Sequence, residues 1–199
     1  PQRYVQMRAD FTSGITASSE LDYVQFAVSI PPVASQALAE IHPSQVTPGQ
    51  ITTFTYSLLP QMQKGDLGFD SIGIDTPSKA QSIDEVRISN IPVDFDIVSH
   101  EDEGFIVRIP RIDVQRTEEL IEVDFQAEVF QFGTVFSGRL FESGHPAEVP
   151  QSITAGNASA LVESDRLSVA LTRFEDNTIQ SLSIQSPVCT PNGDGINDF

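Results

Sequence analysis

The chain has 199 residues, 39 % of them hydrophobic, and carries 28 Asp and Glu against 11 Lys and Arg, for a formal charge of -17. This is enough apolar material for a sizeable core without metals or disulfides, and the single cysteine, Cys189, excludes an intramolecular bridge. So acidic a balance argues against nucleic acid and anionic membranes as partners, because phosphate binding needs a basic face; no apolar run approaches the roughly 20 residues of a membrane-spanning helix.

Two alternating stretches, Tyr4 to Phe11 and Tyr23 to Ile30, open the chain as a pair of strands, and Pro31-Pro32 ends them, since consecutive prolines cannot continue a ladder. Further strands are expected at Gln36 to Ile41, Ile51 to Leu58, Phe69 to Ile74 and Glu85 to Ser89. Val93, Phe95 and Ile97, then His100-Glu101-Asp102-Glu103-Gly104, then Phe105, Val107 and Ile109 read as a hairpin around a polar tip, with Asp94 and Asp96 available to face Arg108. The cleanest period of two sets Ile121, Val123, Phe125, Ala127 and Val129 on one face against Glu122, Asp124, Gln126 and Glu128 on the other. A helix would mix these two sets on every side. Thr134 to Phe141, Arg166 to Leu171 and Ile179 to Ile184 complete the strands, and turn residues such as Thr47-Pro48-Gly49 and Lys64-Gly65-Asp66 separate them. Many short strands without intervening helices predict an all-β antiparallel sandwich with Greek-key wiring.

Three stretches carry resemblances. The closing run Cys189-Thr190-Pro191-Asn192-Gly193-Asp194-Gly195-Ile196-Asn197-Asp198 resembles the first strand and turn of the C-terminal immunoglobulin-like modules of flagellar hook-capping proteins and of gliding-motility-type sorting domains. Arg3-Tyr4-Val5-Gln6-Met7-Arg8, followed by Leu21-Asp22-Tyr23-Val24, resembles the last two strands of galactose-binding-like jelly rolls. Val46-Thr47-Pro48-Gly49 through Tyr56 resembles the second strand of bacterial and archaeal surface-repeat sandwiches. These resemblances imply an immunoglobulin-like or jelly-roll-like fold and a modular, secreted or cell-surface bacterial polypeptide. They divide the chain into 1–32, the end of a preceding module, 33–186, the main sandwich, and 187–199, the start of a following module. Both ends are then expected to lie within a longer polypeptide.

Chemistry-bearing clusters are few. Asn192, Asp194, Asn197 and Asp198 place several oxygens around glycines, which suits either a turn held by side-chain to backbone bonds or a hard cation such as calcium. Glu101, Asp102 and Glu103 form the densest acidic run, but a hairpin tip keeps carboxylates solvated, unlike a pair poised for acid and base work. His42, His100 and His145 have no metal-ligand spacing, and no nucleophile or phosphate-loop motif is present. Tyr4, Tyr23 and Tyr56 are the ring faces available to stack on a sugar, and Phe130 to Phe136 offers an apolar corner for a neighbouring module. The alternating Arg3, Tyr4, Val5, Gln6 and Met7 strand is a candidate for pairing between copies of the chain. The expected function is therefore a non-enzymatic structural or adhesive module of an extracellular bacterial protein. A carbohydrate-binding module and an accessory domain of a secreted hydrolase are the alternatives.

Overall fold

The computed structural model describes residues 31–146, 148–162 and 164–172. In chain order the strands are β1 (Gln36–His42), β2 (Gln45–Val46), β3 (Thr52–Gln61), β4 (Phe69–Asp75), β5 (Ser82–Ile88), β6 (Ile91–Pro92), β7 (Asp96–Glu101), β8 (Gly104–Ile112), β9 (Ile121–Ala127), β10 (Thr134–Val135), β11 (Gly138–Phe141), β12 (Gln151–Ser152), β13 (Thr154–Ala155) and β14 (Ser168–Leu171). A single 3-10 turn, Val114–Arg116, lies between β8 and β9 among the described residues, and no α-helix does. The expected strand pair at Tyr4 to Ile30 and the expected strand at Ile179 to Ile184 lie outside the described residues.

Two sheets pack face to face. One has the order β13-β1-β3-β9-β5-β6 and the other β12-β11-β4-β8-β7, while β10-β14-β2 closes one end. Alternation produces this directly: Ile121, Val123, Phe125 and Ala127 of β9 are all buried, and the Glu122, Asp124 and Gln126 set between them is half-exposed. From the facing sheet Phe105, Val107 and Ile109 of β8 and Ile72 and Ile74 of β4 enter the same core. The chain is thus an all-β sandwich.

The hairpin tip forms as expected, with Glu101 opposite Gly104 and Asp96 opposite Arg108. Its first strand starts later than the apolar pattern implied, at Asp96, because Val93 and Phe95 pack on the core from the connection after β6. The expected Glu85 to Ser89 strand starts earlier, at Ser82, behind an irregularity between Ile83 and Glu85. It stops where Ser89 (φ 52°) and Asn90 (φ 63°) both turn left-handed, the geometry of a two-residue hairpin turn. The long strand expected from Thr134 to Phe141 is two strands, β10 and β11. Phe136 between them is fully buried and its amide bonds Leu167 O at 2.8 Å, so the chain dips into the core while crossing from the small sheet to the five-stranded one.

The direction of the strands fixes at which end of the sandwich the first and last described residues lie. Gln36 pairs with Gln61, and Leu67 and Gly68 bond the carbonyls of Pro32 and Val33, so residues 31–36 lie at the end where β3 finishes. Leu171 pairs with Val46, just ahead of the Thr47-Pro48-Gly49 turn, so Thr172 lies at the end where β3 begins. Ten residues of β3 separate these ends, roughly 33 Å at about 3.3 Å per residue.

Replacing Phe125 by Ala is expected to lower stability by about 3 to 5 kcal/mol in denaturant melts, the usual loss on deleting a core aromatic; a loss under about 1 kcal/mol would remove it from the core.

Candidate functional site

The outer face of the five-stranded sheet is less polar than strand alternation alone provides. Register aligns Arg139, Gly73 and Ile106 in one row across β11, β4 and β8, and Phe141, Ser71 and Arg108 in the next. Gly73 has no side chain to fill its place. A Cβ there would stand 2.9 Å from Phe141 Cε2 and 3.5 Å from Ile106 Cγ1, so the phenyl ring and the isoleucine cover the bare backbone. Together they form a ridge between two clefts. One, of about 600 Å³, is flanked by Asp75, Thr76, Glu101, Glu103 and Arg139, with Arg139 Nη2 donating to Asp75 Oδ1 at 2.6 Å. The other, of about 310 Å³, lies beneath residues 142–150 and is lined by Val98, Leu140, Pro146, Val149 and Pro150, with Arg108 and His145 among its polar groups. An apolar cleft with a few polar groups is the usual form of a ligand site.

A buried carboxylate holds the strap over the second cleft. Glu142 accepts from Arg111 Nη1 and pairs with His145 Nδ1, while Arg111 Nη2 donates to Leu67 O. Ser143 donates through its amide, at 3.0 Å, and its hydroxyl to Asp70. Arg111 first, then His145 and the Gly144 amide, hold the Glu142 carboxyl down at about 2 against the burial that would raise it. Such a group is ionised at neutral pH and serves as an anchor rather than a proton donor. The Ser143 hydroxyl beside it is engaged with Asp70, not aimed at His145 as a nucleophile would be.

Glu101, Asp102 and Glu103 sit exposed on the β7–β8 tip, and Glu101 and Glu103 border the larger cleft. His100 Nε2 lies 2.8 Å from Ala80 O, and His145 is bound to Glu142, so these two histidines serve separate local contacts. Among the described residues no cluster of three His, Cys, Asp or Glu side chains is placed to hold a metal ion. Tyr56 is corrected as a sugar platform: alternation puts it on the inner face of β3, fully buried, with its hydroxyl against Gly138 and without a hydrogen-bond partner. Burial first, and then Asp75, push that phenol's pKa up. The Phe130 to Phe136 corner divides: Phe136 is buried, whereas Phe130, Phe132 (80 % exposed) and Val135 face solvent with Ile51 at the end where Thr172 lies. Asn192, Asp194, Asn197 and Asp198, with calcium as their expected cation, and Arg3, Tyr4, Val5, Gln6 and Met7 lie outside the described residues.

Sequence reasoning missed Glu40, Phe141 and Glu142. Glu40 stands at an outward position of β1 and is nevertheless fully buried, beneath residues 156–165. Its Oε1 accepts from Ala158 N (3.0 Å) and Ser159 N (2.7 Å), and its Oε2 from the amide and hydroxyl of Ser164 and from Asp165 N, each at 3.1 Å. Burial raises its pKa, but the amides of Ser159, Ala158 and Asp165 and the Ser164 hydroxyl outweigh it, and the net shift is downward. No local signal marks this residue, because its donors lie more than a hundred positions away.

No protein-family model and no curated protein sequence matches the chain. Among solved structures, the N-terminal domain of the Streptococcus gordonii adhesin Sgo0707 is similar over 70 % of this chain and 33 % of its own, at 10 % identity and a TM-score of 0.46. BslA, a bacterial hydrophobin, is similar over 72 % of this chain and 99 % of its own, at 8 % identity and a TM-score of 0.38. The chain thus spans about a third of the adhesin structure's length.

Glu142 stabilises the fold in the pH range where it is ionised in both states, and that contribution disappears as pH falls from its ordinary value of 4.5 to about 2. Thermal midpoints are therefore expected to drop more steeply between pH 5 and 2 in the native chain than in Glu142→Gln, and parallel curves would contradict this. Exposed Glu101 and Asp102 are expected to tolerate Ala within about 0.5 kcal/mol in denaturant melts.

Proposed function

We propose that the chain is a non-catalytic, in-line spacer module of an extracellular bacterial surface polypeptide. The observation that carries this reading is the placement of residues 31 and 172 at opposite ends of the sandwich, with 30 residues of the sequence before the one and 27 after the other. Residues 31 and 172 then stand roughly 33 Å apart along β3. The apolar end formed by Ile51, Phe130, Phe132 and Val135, at the end that holds Thr172, supports contact with a neighbouring module. The charge of -17 suits an exported surface, where it favours solubility over association.

A specific observation favours a second reading, glycan binding. The cleft beside Phe141 combines a ring face, which stacks on sugar C-H groups, with hydrogen-bonding side chains from Thr76, Ser99, Glu101 and Arg139. One experiment separates the two: the full chain is screened on a glycan array and assayed for turnover of glycan, ester and peptide substrates. The spacer reading expects neither binding nor turnover. Glycan binding abolished by Phe141→Ala would transfer the function to the cleft, and reproducible turnover would overturn both.

A further inference from the structure

We infer that the chain contains a tension clamp: β1 and β2 are bound, in parallel, to residues 154–172, so that pull along the polypeptide loads these bonds together in shear. The inference rests on the in-line reading, because shear requires the pull to arrive at one end of the sandwich and to leave at the other.

Parallel pairing is the uncommon feature here. Most strands of both large sheets pair antiparallel, yet β1 pairs parallel with β13, Leu38 opposite Thr154 and Ala39 opposite Ala155, and β2 pairs parallel with β14, Gln45 opposite Ala170 and Val46 opposite Leu171. Backbone bonds continue the seam between and beyond these pairs. Gly156 N donates to Ala39 O at 3.0 Å, Ile41 N to Arg166 O at 2.9 Å, Ala170 N to Ser44 O at 2.9 Å and Thr172 N to Val46 O at 2.8 Å. The early segment and the late one therefore run side by side in the same direction, from the end holding residue 31 to the end holding residue 172.

Tension draws the early segment by its first residues and the late segment by its last. Two parallel strands pulled in this way slide along each other, and every bond of the seam resists at once. Strands drawn apart from a shared end instead open one bond at a time. A hydrogen bond is weak alone, so the difference lies in how many must fail together.

Glu40 sits in the middle of this seam. The parallel ladder is interrupted between Gly156 and Arg166, and there one carboxylate gathers the amides of Ala158, Ser159, Ser164 and Asp165 and the Ser164 hydroxyl, fastening the intervening loop to β1. Bonds to an ionised acceptor are stronger than neutral ones, and burial away from water prevents their exchange with solvent. Asp165 adopts φ 51°, a left-handed conformation that Asp tolerates, as it joins Ser164 in donating to the same oxygen. An outward-facing glutamate on an open strand would need none of this. Its position makes sense as the rivet of a seam.

Single-molecule force measurements on the full chain, with Cys189→Ser to free the thiol chemistry, decide the matter. In one arrangement the handles are attached at Gln36→Cys, where β1 begins, and at Thr172→Cys, beyond β14, which draws the seam in shear. In the other they are attached at Thr172→Cys and at Asp102→Cys on the β7–β8 tip, which lies at the same end as Thr172 because Gly104 pairs with Asp75 at the end of β4 remote from Val33; this peels β14 from its last residue. The unfolding force is expected to be about twofold higher in the first arrangement, as several bonds then break together. Glu40→Gln is expected to lower the first force and leave the second unchanged. Equal forces in the two arrangements overturn the clamp, and a proportional fall of both in Glu40→Gln overturns the role of Glu40 in it. If Glu40→Gln does not fold, the comparison of arrangements in the native chain decides alone. The clamp can fail in this way while the spacer reading stands, since ligand binding and turnover judge that reading.

Discussion

Four phenyl rings hold the two sheets together, and the rest of the molecule is arranged around them. Phe54 and Phe125, on the neighbouring strands β3 and β9, stack with centroids 5.8 Å apart, and Phe105 reaches across from β8 to meet Phe125 edge-on at 5.1 Å. Phe136 completes the group, 5.0 Å from Phe54 and 5.9 Å from Phe125. Offset and edge-on contacts suit the ring quadrupoles and add to the burial that dominates a core with no disulfide. The last ring has the widest consequences. Drawing Phe136 inward divides one strand into β10 and β11, brings β10 to β14 at the end of the sandwich, and leaves Phe130, Phe132 and Val135 in solvent there. The core thus creates the apolar end of the module.

Two long connections are held by carboxylates instead of apolar packing. Glu142, paired with Arg111 and His145, secures residues 142–150, and Glu40, surrounded by amides, secures 156–165. Removing a carboxylate from water costs several kcal/mol unless its lone pairs are filled. The two sites meet that cost differently. Glu142 uses a cation, as expected where a basic side chain is within reach. Glu40 uses backbone N-H dipoles converging from a tight loop, a means open to a protein with few Lys and Arg. Both carboxyls are held below their ordinary range by these donors, so acid weakens both anchors.

The outer faces of the two large sheets differ in kind. On the six-stranded sheet Arg87 lies among Glu85, Glu122 and Asp124, at 2.6 Å from Glu85 and 3.2 Å from Glu122, and Thr55 donates to Asp124 at 2.7 Å. That polar network satisfies itself and leaves little for a partner. On the five-stranded sheet the Phe141 and Ile106 ridge stands between two clefts, and the exposed Glu101 and Glu103 border the larger one. The glycan reading rests on this face, and the proposed clamp on the edge formed by β1, β2 and β14.

Strand alternation is a local property, since side chains point to opposite faces at every second residue. The set from Ile121 to Ala127, the β7–β8 hairpin with its exposed acidic tip, and the all-β class were for that reason determined by the sequence alone. The exposed apolar corner was legible as far as Val135, but the inward turn of Phe136 depended on Leu167, thirty-one positions later. Glu40 reads locally as a solvated residue on a strand, and Phe141 as one more alternating aromatic. Their roles came from partners distant in sequence, the amides of Ala158, Ser159, Ser164 and Asp165 for Glu40 and the bare backbone of Gly73 for Phe141. The direction in which the first and last described strands run past each other was likewise decided by tertiary structure. Periodicity specifies which face of a strand is buried, whereas neighbour and direction are set when the whole chain minimises its exposed apolar surface and satisfies its buried polar groups at once.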